Sequence, residues 1–358
     1  MTNHSNNLPS TSRRLSISPD EVIAAANKLL ADSCNTTTPT DDNLFIVKTA
    51  NHWMQEAKNR PIQQMLFAEF WFEGEICILF ADTNLGKSIL AVQIGQSIAS
   101  GKAIPGFPLQ TGAQPVLYFD FELTDKQFEV RYSVNKSAHF EFDDNFLRVE
   151  FNHDVIPPEG QAYEDFLANC IERTLIEKQA KVLIIDNLTY LKNETEKAKD
   201  ALPLMKRLKG LKNKYDLSML VLAHTPKRDL SKPITRNDLS GSKMLINFCD
   251  SAFAIGESCK DSSLRYIKQI KQRNTEQMYG ADNILLCQIS KPKNFVWFEM
   301  TGFGTERDHL KEFTDKDDRA RLQQVKDLQA SGLTYREIGA KIGLSHVTVG
   351  KLLRKAEL

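Results

Sequence analysis

Residues 81–88 read Ala-Asp-Thr-Asn-Leu-Gly-Lys-Ser, directly after the apolar run Ile76-Cys77-Ile78-Leu79-Phe80. Their types and spacing suit phosphate chemistry. In a tight loop that opens into a helix, backbone N–H groups and the helix N-terminus converge on phosphate oxygens. Gly86 lets the backbone approach, Lys87 reaches the outer phosphates, and the Ser88 hydroxyl binds Mg²⁺. Ala81, Asp82, Thr83, Asn84 and Leu85 complete the loop, and the expected ligands are ATP and Mg²⁺. Ala81 stands where the pattern has a glycine, and it allows fewer backbone conformations.

Other polar groups follow apolar runs in the same way. Val182-Leu183-Ile184-Ile185 ends in Asp186, a second expected Mg²⁺ partner. The run at 115–121 leads to Glu122, which could polarise an attacking water. Asp120 lies on the same strand face and competes for that role; Glu122 is nearer the strand end. His224 and Thr225 end a third run and could donate to a γ-phosphate, although a lone His is equally often structural. Lys271 and Arg273 share one side of a strand. Two such cations could reach ATP held by a neighbouring subunit, or could simply form a solvated basic edge. Spacing alone favours the edge.

These residues need a scaffold that brings strand ends together. Strand-like runs fall at 75–81, 115–121, 181–186, 217–223, 251–256, 264–270, 283–289 and 295–300. Helix-like runs fall at 52–58, 87–100, 125–136, 161–178 and 199–214. The first four strands are almost wholly apolar, as expected when both faces are covered. Their alternation with helices predicts an α/β domain with a largely parallel sheet. The later strands lack intervening helices, so they are expected as antiparallel edge strands.

The 358 residues carry zero net charge, so any affinity for nucleic acid must be local. Six cysteines are scattered with no Cys-x-x-Cys pair, which argues for reduced thiols, a cytoplasmic setting and no zinc site. No apolar run is long enough to span a bilayer. Residues 1–43 read as a mostly disordered segment with a short helix from Ser18 to Leu30. Residues 44–300 read as the α/β domain, 301–318 as a linker and 319–358 as a separate helical domain.

Taken together, Ala-x4-Gly-Lys-Ser at 81–88, Val-Leu-Tyr-Phe-Asp-Phe-Glu at 116–122, Val-Leu-Ile-Ile-Asp-Asn at 182–187, Leu-Ala-His-Thr-Pro-Lys at 222–227 and Lys-Gln-Arg at 271–273 resemble the RecA-like ATPases. The resemblance is greatest to the plasmid RepA-type hexameric helicases. It implies a RecA-like P-loop core, Glu122 as catalytic base, His224 and Thr225 as sensor, and Lys271 with Arg273 acting on a neighbour's ATP. It also implies a homo-oligomeric ring or filament working on DNA.

Residues 319–358 hold eight Lys or Arg against three acids. Thr334 and Glu337 form a capping-box pattern, Gly343 stops that helix, and Ser345 starts another carrying Val347, Val349, Leu352 and Leu353. This stretch resembles the helix-turn-helix units of resolvases and sigma factors. That resemblance implies DNA contacts from Ser345, His346, Thr348, Lys351, Arg354 and Lys355. The expected function is an ATP-hydrolysing, DNA-associated motor or assembly factor in replication, mobilisation or repair. An ATP-switched DNA-binding regulator or partition factor, and a phosphotransferase of the same fold, are the alternatives.

Overall fold

The computed structural model describes residues 45–188, 201–226, 228–239, 242–312 and 315–355. The expected short helix within 1–43 lies outside them. The chain divides into two units, 1–62 and 63–358. In the described part of the first, helix α1 (Ala50–Lys58) is capped by Thr49, whose hydroxyl accepts from the His52 N–H, and it buries no residue.

In the second unit, β1 (Met65–Phe67) and β2 (Trp71–Phe72) pair as a small antiparallel sheet. Strand β3 (Ile76–Ala81) and helix α2 (Lys87–Ser100) follow. Next come β4 (Val116–Asp120), α3 (Asp125–Arg131), the β5–β6 hairpin (Ser133–Val134, Ala138–His139) and β7 (Phe146–Val149). Helix α4 (Tyr163–Lys178), β8 (Val182–Asp186), α5 (Ala201–Tyr215), β9 (Ser218–His224) and α6 (Ser242–Phe248) continue the alternation. The last strands are β10 (Ser251–Glu257), β11 (Leu264–Lys271), β12 (Ile284–Ser290) and β13 (Trp297–Gly304). Three helices end the chain: α7 (Asp315–Ala330), α8 (Tyr335–Ile342) and α9 (His346–Lys355).

Nine strands form one sheet in the order β13-β12-β11-β10-β3-β9-β8-β4-β7. From β10 to β7 all neighbours are parallel, and β11, β12 and β13 extend the sheet antiparallel. The expected α/β class with a largely parallel sheet and antiparallel edge strands is what the chain adopts. Alternation along β3 explains its unbroken apolar run. Ile76, Ile78 and Phe80 enter the core packed by α4 and α5, whereas Cys77, Leu79 and Ala81 enter the core packed by α2. A strand with helices on both faces has no solvent side to mark with polar residues.

Three expectations change. The helix expected over 125–136 ends at Arg131, because the chain turns into the β5–β6 hairpin. The expected linker at 301–318 is partly ordered structure: β13 runs to Gly304, Glu306 is fully buried, and α7 starts at Asp315. Strand β7 was not expected at all; its four residues are mostly half-buried and lack an apolar run.

The three terminal helices share a small core of Val325, Ile338, Val349 and Leu353. Thr334 and Glu337 form the expected capping box at α8, and Gly343 ends that helix at φ 72°. A Cβ on Gly339 would meet the Leu344 carbonyl at 2.4 Å, so the turn between α8 and α9 requires glycine there. Ser345 accepts from the Thr348 N–H at 3.1 Å and caps α9. Val347, expected among the apolar residues of this helix, is exposed; Val349 and Leu353 are buried.

Candidate nucleotide site

Because β3, β4, β8 and β9 are parallel neighbours, their C-terminal ends deliver Ala81, Asp120–Glu122, Asp186–Asn187 and His224–Thr225 to one edge of the sheet. Ligands of open α/β sheets bind at that edge.

Ala81 remains strand. It is buried, pairs with Ile255 and His224, and its carbonyl accepts from the Thr225 N–H at 3.1 Å. The left-handed positions of the loop fall instead on Asn84 (φ 64°) and Gly86 (φ 92°). A glycine at position 81 is therefore not required by this backbone, and alanine fits. Gly86 is required twice over, since a Cβ there would also meet Ile289 at 2.8 Å and Phe298 at 2.9 Å.

Lys87 opens α2 and is buried. Its Nζ donates to the Ala81 and Asp82 carbonyls at 3.0 and 3.1 Å and to His224 Nδ1 at 3.2 Å. An ammonium has only donors, so Nδ1 must accept and the imidazole proton sits on Nε2. Nε2 then donates to Glu122 Oε1 at 3.3 Å. The fully buried Asn187 also donates from Nδ2 to Glu122 Oε1, and stands 2.8 Å from His224 Nε2. The His224 hydrogen bond leads in holding the Glu122 carboxyl below its ordinary range, with the Lys87 charge and Asn187 adding to it against desolvation. Burial lowers Lys87, opposed by Asp186, Glu122 and Asp82.

Asp120 is differently placed. It is buried and accepts from Arg148 Nε at 2.9 Å and from the Leu123 and Glu122 N–H groups at 3.0 and 3.3 Å. Arg148 comes from β7 and also binds Asp125 and the Leu123 carbonyl. Of the two carboxylates competing on this strand end, Glu122 is the one in contact with the loop lysine's network.

Asp186 is buried, and Tyr118 donates to its Oδ2 at 2.7 Å. Burial pushes its carboxyl up to about 6, while the Ser88 and Tyr118 hydroxyls draw it back. The Ser88 hydroxyl is thus close by, yet Oδ1 accepts no hydrogen bond of proper geometry. A buried, unpaired carboxylate oxygen beside a hydroxyl fits a cation. No cluster of three His, Cys, Asp or Glu suited to a metal exists among the described residues. A carboxylate with a hydroxyl is a donor set that fits Mg²⁺, which takes few protein ligands and completes its shell with phosphate and water. Thr225 Oγ1 is likewise buried without a partner.

Lys271 and Arg273 are not brought to this edge. Arg273 bonds Asp250, which in turn holds the Ile76 N–H, so it lies level with the start of β3. Five residues of strand, about 16 Å, separate that point from Ala81. The structure also shows contacts that sequence reasoning passed over. Arg148 lies in no motif, and Tyr118, within 116–122, carries no role legible from its neighbours, because Asp120 and Asp186 reach them from other strands.

Strand order, loop and converging polar residues define a P-loop ATPase of α/β architecture. The sequence profile of the AAA domain family matches residues 47–229, just over half the chain, and the protein belongs to that family. No curated protein matches the chain by sequence. A KaiC-like protein from the hyperthermophilic archaeon Pyrococcus horikoshii OT3 superposes with a TM-score of 0.47 at 15% identity, covering 67% of this chain and all of that one. No helix among the described residues is long and apolar enough to cross a membrane.

Proposed function

We propose that the protein is an oligomeric, DNA-associated ATPase of RecA-like, RepA-type organisation, acting as a motor or assembly factor in replication, mobilisation or repair. The observation that carries the ATPase part is the connected chain from Lys87 through His224 to Glu122. It links the loop that would hold the outer phosphates to a carboxylate kept ionised. On ATP binding, Lys87 exchanges its carbonyl and imidazole partners for phosphate oxygens. Glu122 accepts a hydrogen bond from the attacking water and takes its proton. His224 and Thr225 donate to the γ-phosphate. Mg²⁺ on Ser88 and Asp186 would neutralise charge on the phosphates. The basic pair Lys271 and Arg273, which lies far from its own loop, serves the ATP of a neighbouring subunit through at least one of its two cations.

The DNA part rests on the C-terminal helices, read as a helix-turn-helix. Ser345, His346, Lys351 and Arg354 are exposed and Thr348 is half-buried; the Lys355 side chain lies outside the described residues. The test is ATP turnover with no DNA, with single-stranded DNA and with duplex DNA, alongside sizing with ATP bound. Stimulation by DNA and ATP-dependent assembly are expected. Replacing Lys351 and Arg354 by Ala should reduce the slope of log affinity against log salt by about 2. Turnover indifferent to both DNA forms would favour an ATP-switched regulator.

A further inference from the structure

Spacing makes Lys271 and Arg273 equivalent, but their surroundings do not. Lys271 Nζ donates to the Ile246 and Cys249 carbonyls, each at 2.6 Å, and so is tied to the end of α6. Arg273 keeps about half its side chain in solvent, with 52% exposed, and makes one side-chain contact among the described residues, Nη1 to Asp250 Oδ1 at 3.1 Å. A guanidinium has five donors in a rigid fork. One engaged donor leaves most of the fork free for a phosphate.

Asp250 is itself firmly placed. Its Oδ2 accepts from the Ile76 N–H at 3.0 Å, and Lys212 Nζ lies 3.9 Å from the same oxygen. Ile76 is the first residue of β3, whose last residue, Ala81, begins the phosphate loop. One carboxylate thus grips the strand that carries a subunit's own loop and steers the cation projecting from the opposite edge.

We propose that Asp250 is a positioning residue that aims Arg273 into the nucleotide site of a neighbouring copy, and that Lys271 fixes the turn from which Arg273 projects rather than entering that site. This rests on the trans role given to the basic pair above. Long flexible side chains lose activity steeply when misdirected, and a displacement of about 1 Å can cost about 100-fold. Holding the fork in advance also lowers the entropy lost on engaging the phosphates.

Asp250→Asn keeps an oxygen for the Ile76 N–H and removes the charge that holds Arg273. The experiment measures kcat and ATP affinity for D250N, R273A and the double variant in the full-length protein. R273A should lower kcat by about 10³-fold, within the range for such arginines. D250N should lower kcat by about 10–100-fold with ATP affinity within twofold of wild type, and should cost nothing further in the R273A background. Mixing D250N with Glu122→Gln subunits, whose Arg273 is intact, should restore turnover at shared sites. An R273A protein that turns over normally would overturn the trans reading itself. A strong R273A effect with D250N unimpaired, or with additive losses in the double variant, would leave that reading standing and overturn the role of Asp250.

Discussion

The two ends of the central sheet are built from similar residues and finished differently. At the end holding the phosphate loop, polar groups are left wanting. Asp186 Oδ1 and Thr225 Oγ1 are buried without partners, and Lys87 is satisfied by carbonyls of its own loop. At the other end, Asp250 caps the Ile76 N–H, Lys271 caps carbonyls near α6, and Ser251 donates to Glu75 at 2.7 Å. Unsatisfied buried groups carry a free-energy cost that evolution tolerates where a ligand supplies the missing partners. The contrast sets an end where orphaned polar groups surround the loop lysine against one where Glu75 Oε1 is also buried without a partner and Arg273 keeps about half its side chain in solvent.

The largest expected effect breaks the first end chemically and leaves it standing. Glu122→Gln should lower turnover about 10²–10⁴-fold, the usual worth of a general base. Glutamine still accepts from Asn187 and His224, so ATP binding and melting temperature should hardly move. Turnover near wild type would remove Glu122 from the mechanism. Arg148→Ala is the mirror image, acting on the neighbouring carboxylate. It strands Asp120, whose side chain is fully buried, and breaking such a pair should cost about 3–5 kcal/mol of stability in denaturant unfolding. A melting curve like that of wild type would mean the pair is not a structural clamp.

These two carboxylates show what the sequence makes legible and what it hides. The loop at 81–88, the apolar strands and the helix at 87–100 are local features, and each is read correctly from neighbouring residues. That Asp120 is occupied while Glu122 meets the Lys87 network depends on Arg148, which lies 28 positions from Asp120 on a four-residue edge strand. Likewise Lys271 and Arg273 differ only through α6 and Asp250, which fold against them from elsewhere. The end of β13 was hidden because its outward residues look like loop. Patterning reports which faces are covered; it does not report which distant partner covers them.

The smallest effect sharpens the second end. Glu75 is 2% exposed, its Oε1 has no partner, and its Oε2 accepts from Ser251 and the Phe72 N–H. Desolvation pushes its carboxyl up to about 7, with Ser251 and Phe72 opposing, Asp250 adding to the rise and Lys212 opposing it. A raised carboxyl binds its proton more tightly in the folded chain. Its stabilising contribution is therefore complete below about 4.5 and is lost as pH rises through about 7. The loss amounts to about 3 kcal/mol once the group is ionised. Glu75→Gln does not titrate and can still accept one of the two bonds at Oε2. Relative to wild type, it should gain stability from about pH 5 to about pH 7 in thermal melts and level off above that. Parallel curves across that range would show that Glu75 stays ionised, and that the far end of the sheet holds a buried charge at no cost that burial alone predicts.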